Sequence, residues 1–313
     1  MENKEDNKMK EPAEEKKQSS VEKRASDTAM FAAIHRFISS LEENPNFKGP
    51  DHLAKLFVPP KAKFFLSFAF IRRHVRKKLT KMVPGTYEYI VARTKYFDDL
   101  FKQALTDNVP QVVFLGAGYD TRSIRFKDYV RETKIFELDV PTTQKQKKDL
   151  LLKAGISVPE QLSFVPINFN KERLQDVLSN AGYDKSQKSF FIWEGVTYYL
   201  PEETVKNTLG IIKNHSGAGS TVAFDYFYKS IVQGKSDFYG AKQIIKEVSK
   251  SGEPFQFGID QGKIESFLVE NGFDMLSHHT PEEFEKTYLY ADDGEFFGKM
   301  YGFACHVHTR VKP

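Results

Sequence analysis

Seven apolar stretches that lack helical spacing set the frame of the chain. QVVFL at 111–115 is followed by KIFELD at 134–139, SFVPINF at Ser163–Phe169 and KSFFIWEGV at Lys188–Val196. STVAFDYF at 220–227, FDMLSHHT at 273–280 and GFACHVHTR at 302–310 complete the set. The four β-formers from Val112 to Leu115 show no polar alternation, which predicts a strand buried on both faces of a parallel sheet. Stretches with helical spacing separate these strands: one from Pro141 closed by Gly155, KERLQDVLSNAG ending at Gly182, PEETVKNTLGIIKNHS opened by Pro201 as an early helical residue, and QGKIESFLVENG. Alternating strand and helix predicts an α/β, Rossmann-like fold on a mostly parallel seven-stranded sheet, with Lys188–Val196 central and a helix and hairpin at the end.

Ahead of this lies a helical pattern. Residues 1–20 are nearly all charged or polar, with too little apolar surface to offset the entropy of ordering, so a mobile charged tail is expected there. From Val21 the residues Ala25, Ala29, Ala32, Ala33, Phe37 and Ile38 fall near helical spacing, with His35 among them, and Pro45 to Pro60 reads as a loop-rich connector. Lys61–Leu79 sets an apolar run against Arg72, Arg73, His74, Arg76, Lys77 and Lys78. It is read as a cap helix with one face on the core and the charge run solvated, in preference to a membrane-surface segment. TYEYIVARTKYFDDLFKQAL, from Thr86, reads as an amphipathic helix. The domain expectation is therefore a tail over 1–20, a helical cap over 21–108 and a core over 109–313, with an insertion at about 229–257.

Candidate chemistry sits where the first strand ends. Gly116, Ala117 and Gly118 follow it at once, a turn that needs residues without Cβ for its backbone angles and for close approach of a ligand. Asp120 and Thr121 are positioned to cap a following helix whose N-terminus would face that ligand. Asp139, about 20 residues on at the end of the second strand, stands where nucleotide-binding α/β folds hold ribose hydroxyls. The third glycine of a dinucleotide fingerprint is replaced by Thr121.

LGAGYDTR, FELDVP and WEGVTYYLP, in this order, resemble the leucine carboxyl methyltransferase family, in its bacterial branch of S-adenosyl-L-methionine-dependent methyltransferases, over about Thr86 to Leu289. The resemblance implies a class I methyltransferase fold with the glycine turn against the methionine end of S-adenosyl-L-methionine and Asp139 on its ribose. It also implies that Arg93 grips the cofactor's carboxylate, where the plain reading is a surface arginine paired with Asp98 or Asp99. Asn168 and Phe169 stand where relatives carry the Asp–Leu pair that reads adenine; Asn keeps a donor and an acceptor, and Phe169 could cover the ring. Glu194 is placed beside the cofactor, against the plain reading of a buried carboxylate that holds a loop.

Composition narrows the rest. The chain has 313 residues, a formal charge of +4, 40% hydrophobic residues and one cysteine, Cys305. That suits a single large domain in a reducing compartment, with no internal disulfide, and the cytoplasm is expected. The charge is too balanced for a nucleic-acid binder. His306 and His308 share a strand face, but no further cluster with ligand spacing accompanies them, so no metal is expected. The expected activity is S-adenosyl-L-methionine-dependent O-methylation of a carboxylate or hydroxyl on a small or medium-sized acceptor. A protein C-terminal carboxylate is the second reading, and an NAD-linked oxidoreductase or a cofactor-binding protein without turnover comes after it. A hydroxyl acceptor would need a base, with His35, Tyr198 and Glu194 as candidates, whereas an ionised carboxylate needs none.

Overall fold

A computed structural model describes residues 27–312 apart from 170, 252 and 253. The expected charged tail and the start of the first helix lie outside the described residues. Helix α1 covers residues 27–40, and α2 (Pro60–Leu66), α3 (Ala69–Met82) and α4 (Thr86–Thr106) follow. The connector contains a short tight helix, His52–Phe57, started by Asp51, whose Oδ1 accepts the Ala54 N–H at 3.0 Å. Then come β1 (Gln111–Leu115), α5 (Arg122–Arg125), β2 (Lys134–Asp139), α6 (Pro141–Lys153), β3 (Leu162–Pro166), α7 (Leu174–Asn180) and β4 (Ser189–Trp193). The remainder is α8 (Glu202–Asn214), β5 (Thr221–Phe227), α9 (Lys229–Val232), α10 (Ala241–Ser251), α11 (Ile264–Glu270), β6 (Phe273–His279), α12 (Pro281–Tyr288) and β7 (Ala304–Val311).

The seven strands form one sheet in the order β3-β2-β1-β4-β5-β7-β6. β1 to β5 are parallel, and β7 runs antiparallel to both β5 and β6. β4 is the middle strand, as its apolar FFIW run requires: both faces are covered. The order reverses between β1 and β4, which opens a crevice at their carboxyl ends where α/β sheets take ligands.

Three differences from the sequence expectation have clear physical causes. The third strand stops at Pro166, and the Asn168 N–H turns to Glu172 Oε2 at 2.7 Å. Pro201 sits just before α8, with Glu202 as its first helical residue. Between β6 and β7 lies α12, which the apolar pattern passes over. Its start is a capping box: Thr280 Oγ1 accepts the Glu283 N–H at 3.3 Å while Glu283 Oε2 accepts the Thr280 N–H at 2.8 Å.

α4 is more than an amphipathic surface helix, since every residue from Thr86 to Thr94 is buried. One side packs on the sheet through Phe97 and Phe101; another meets α1–α3 through Tyr87 and Val91, next to Phe37, Ile38 and Leu66. α12 covers a third side, where Phe284 lies 5.4 Å from the Tyr96 ring.

His306 of β7 is fully buried in this region, its ring stacked on Phe284 at 3.6 Å with neither nitrogen hydrogen-bonded. Burial holds its pKa well below the usual 6.5, helped by the nearby Arg93 charge. The folded chain therefore carries His306 neutral, while the unfolded chain protonates it below about pH 6.5. Stability from this residue is present above that pH and is lost as pH falls below it. Denaturant unfolding of the wild type and His306→Phe across pH 7.5 to 4.5 should show a shallower acid loss in the variant, by up to about 1.4 kcal/mol per pH unit. Parallel curves would show that His306 is not buried as a neutral ring.

Candidate functional site

A cavity of about 1030 Å³ lies at the carboxyl ends of the central strands. Gly116, Ala117, Gly118, Asp139, Asn168, Phe169, Glu194, Arg93 and Tyr198 all line it, so the structure brings these sequence candidates together. His35 is not among the lining residues. Its Nδ1 bonds the Phe31 carbonyl at 2.8 Å, its Nε2 has no partner, and burial pushes its pKa down to about 4. α1 also supplies Thr28, Ala29, Phe31, Ala32 and Arg36 to the wall, and the segment after β5 supplies Ile244 and Phe255.

The glycine turn is shaped by its neighbours as well as by its angles. Gly116 has φ +76°, and a Cβ there would lie 2.8 Å from Val196 Cγ2. Gly118 has φ +50°, and a Cβ would come within 3.2 Å of Ala29 in α1. Asp139 faces this turn from the end of β2. Its Oδ2 accepts the Gly118 N–H at 2.6 Å and its Oδ1 the Val140 N–H at 2.7 Å. Burial raises its pKa, and those two N–H groups work against that rise. A carboxylate offers about four acceptor sites, so two remain for ligand hydroxyls.

The turn does not lead to a helix N-terminus that could hold an anion. α5 is a single turn, and Thr121 does not cap it. The Thr121 hydroxyl donates to Asp51 Oδ1 at 2.7 Å and accepts from Arg125 Nε at 2.8 Å, while Asp120 Oδ1 takes the Arg122 N–H at 2.7 Å. Satisfying buried charges takes precedence here over helix capping.

Those charges form a network that the sequence reading missed. Arg122 is almost fully buried: its Nε donates to Asp98 Oδ1 at 2.8 Å, its Nη1 to Asp120 and, at 2.7 Å, to Glu194 Oε2, and its Nη2 to the Thr94 carbonyl at 3.2 Å. Burial opposes the charge on Arg122, but Asp120, Glu194 and Asp98 outweigh it and raise its pKa. Arg125 takes both oxygens of Asp98, at 2.6 and 2.7 Å. The available signal was the pair Asp120 and Arg122, two charged residues directly after a buried strand and its turn, where an uncompensated charge is costly.

Arg93 joins the same network from α4. It pairs with Glu194 Oε1 at 3.0 Å and with Asp225 Oδ2 at 3.3 Å, so its partners are not Asp98 or Asp99. Its Nη1 also reaches the Tyr198 and Tyr89 hydroxyls at 3.1 and 3.4 Å, and Nη2 takes part in none of these contacts. Asp225, fully buried, accepts the Tyr89 hydroxyl and, at 2.7 Å, the Gly195 N–H. Gly195 is required at that point: with φ +74°, a Cβ would sit 2.9 Å from Arg93 Nη1. Burial first, and Asp225 next, push the Tyr198 phenol well above its usual pKa. Its ring stacks on Phe227 at 4.0 Å. Among the described residues no three His, Cys, Asp or Glu side chains converge as a metal would need.

The sequence profile described as leucine carboxyl methyltransferase matches residues 29–213. The chain belongs to that family. YktD of Bacillus subtilis strain 168 is 31% identical over 193 residues, 62% of this chain and 63% of that protein. A Mycolicibacterium smegmatis relative is 30% identical over 198 residues, 63% of this chain and 65% of that one. Both are named "putative S-adenosyl-L-methionine-dependent methyltransferase", and the matched segments span just under two thirds of each relative's own length. A crystal structure from Thermobifida fusca, titled a "putative methyltransferase", is similar over 79% of this chain and 90% of that one, with a TM-score of 0.57 at 14% identity. A Streptomyces avermitilis protein of the duf574 family gives the same TM-score over 90% and 97% of the two chains at 11% identity. The fold of this family member is that of class I methyltransferases.

The network makes a sharp stability prediction. Arg122→Met leaves Asp98, Asp120 and Glu194 buried around a missing charge and should cost about 3–5 kcal/mol in denaturant unfolding. Arg73→Met removes an exposed pair with Glu43 at 3.3 Å and should cost less than about 1 kcal/mol. Equal losses in the two variants would mean that Arg122 does not carry the buried charge balance.

Proposed function

We propose that this family member is an S-adenosyl-L-methionine-dependent methyltransferase that methylates an oxygen of a small or medium-sized acceptor, and that this oxygen belongs to an ionised carboxylate. The cofactor part rests on the fit of the glycine turn and Asp139. Gly116 and Gly118 leave room for a ligand against the backbone, and Asp139 keeps acceptor sites for ribose hydroxyls while the Gly118 and Val140 N–H groups fix its orientation. Asn168, Phe169 and Arg93 line the same cavity, which supports their reading as adenine and carboxylate contacts. The volume lies at the upper end of the usual range for ligand pockets, enough for a cofactor together with a modest acceptor. A nicotinamide dehydrogenase would call for the six-stranded parallel order, and here the strand beside β5 is the antiparallel β7.

The acceptor part rests on one observation: none of the three sequence candidates is free at the cavity to act as a base. His35 is off the wall, both oxygens of Glu194 are engaged by arginines, and the Tyr198 phenol is held in its protonated form. When bound, the cofactor supplies a methyl group already activated by its cationic sulfur. The protein then has to bring an acceptor oxygen into line and exclude water, and an ionised carboxylate needs no proton removed. Tyr198, Phe227, Phe255 and Tyr301 supply aromatic wall for that purpose.

Two measurements test the two parts separately. Calorimetry should show binding of S-adenosyl-L-methionine and its demethylated product with no NAD binding at similar concentrations, and Asp139→Ala should weaken binding by about 1–3 kcal/mol. NAD binding of equal strength would remove the cofactor assignment. Incubation with labelled cofactor and cell extract, followed by mild base, should release the label as volatile methanol from a methyl ester. Label that stays in solution would assign the acceptor as a hydroxyl.

A further inference from the structure

The stretch from Asp51 to Glu88 contains nine Lys and Arg residues and no acid between those two ends. Its apolar residues were expected to be buried on the core. The structure divides them instead. Leu66, Val75 and Leu79 pack toward Phe37, Ile38 and Val91, which fixes α2 and α3 to α1 and α4. Four phenylalanines at the α2–α3 junction stay in solvent: Phe64 is 62% exposed, Phe65 54%, Phe68 43% and Phe70 71%. They form one patch, with Phe64 ring contacts to Phe65 at 5.6 Å and to Phe68 at 5.4 Å, and a Phe68–Phe70 contact at 6.2 Å. No residue of α3 is fully buried.

Charge surrounds that patch. On α3 the exposed residues Phe70, Arg73, Lys77 and Lys81 recur at three- and four-residue spacing, so they share one face; Lys78 beside them and Lys61 in the first turn of α2 are exposed as well. Glu43 reaches Arg73, while Glu42 and Glu88 are taken by the more inward Arg76. Solvent-facing phenylalanine is rare at this density on a free surface. Phenylalanine alone would suit a protein interface as well, but such an interface disfavours Lys, whereas an interfacial helix in a bilayer combines Phe on one side with Lys on the other.

We infer that the α2–α3 junction docks this protein on an anionic lipid bilayer, with the four phenylalanines in the headgroup–acyl boundary and the lysines against lipid phosphates. This does not rest on the methyl-transfer reading. Attachment is peripheral, since among the described residues no helix is long and apolar enough to cross a membrane. It requires both terms: apolar insertion supplies residence, and the basic face selects anionic lipid.

The test is co-sedimentation of the full chain with vesicles of phosphatidylcholine alone and of phosphatidylcholine mixed with phosphatidylglycerol. Binding should appear with the anionic vesicles, be at least about tenfold weaker with the neutral ones, and fall sharply at about 1 M salt. Phe65→Ser/Phe70→Ser and Lys77→Glu/Lys78→Glu should each lower the bound fraction by about tenfold or more, with melting temperatures near wild type. A wild-type chain left in the supernatant, equal binding to both vesicle types, or binding that neither double variant changes would overturn the proposal. So would a dimer in light scattering that the phenylalanine variant abolishes, because the patch would then serve a second copy of the chain.

Discussion

Glu194 is gripped by two buried guanidinium groups, and the geometry of the site depends on that clamp. Arg122 approaches from α5 and Arg93 from α4, while Glu194 sits just past the end of β4. Through them α4 is tied to the mouths of β1, β4 and β5, because Asp120 follows the β1 turn and Asp225 lies in β5. Taking this many charges out of water is expensive, and an apolar replacement of equal volume would often be as stable. What the charges supply is directional: each carboxylate accepts from a named donor, so the loops after three strands have one arrangement. Asp225 shows this well, since one oxygen fixes the Gly195 backbone while the other takes Tyr89 and Arg93.

The clamp changes how Arg93 should be understood. A surface arginine could be removed at little cost, and a dedicated ligand grip could be removed with loss of affinity alone. Arg93 here neutralises a fully buried aspartate, so its removal would strand Asp225 and loosen Glu194 together. Burial alone would lower its pKa; Tyr89, Tyr198, Glu194 and Asp225 outweigh that and hold it well above the usual value. Any role toward a ligand carboxylate falls to the part of the guanidinium outside those contacts.

The centre of the sheet was legible in the sequence because β1 and β4 each carry an unbroken apolar run closed by a nearby glycine, and a strand buried on both faces leaves few polar positions to blur the pattern. The glycine turn and Asp139 were legible for a related reason: each stands directly at a strand end, where chain order and spatial position coincide. The misses share a cause as well. Asp98 of α4 meets Asp120, Arg122 and Arg125 of the β1 turn and α5 only through tertiary packing, and single-sequence periodicity carries no signal for which charge will find which. α12 was hidden between two strands, though its Thr280–Glu283 capping box is a local signal that could have been read. The α2–α3 phenylalanines were misread because the pattern shows which residues share a helix face and not what covers it.

The proposed chemistry and the clamp are consistent with one another. Around Glu194 the carboxylates are paired with arginines, and the Tyr89 and Tyr198 phenols are pushed well above their usual pKa, first by burial and next by Asp225. Protonated phenols and a carboxylate held by two arginines do not readily accept a proton, but they can bound a space and exclude water. Such a wall suits a reaction in which the methyl donor is already activated and the acceptor arrives ionised, so that approach geometry is what the protein has left to supply. An acceptor that relied on Glu194 for deprotonation would need this clamp opened, and opening it exposes a buried partner charge.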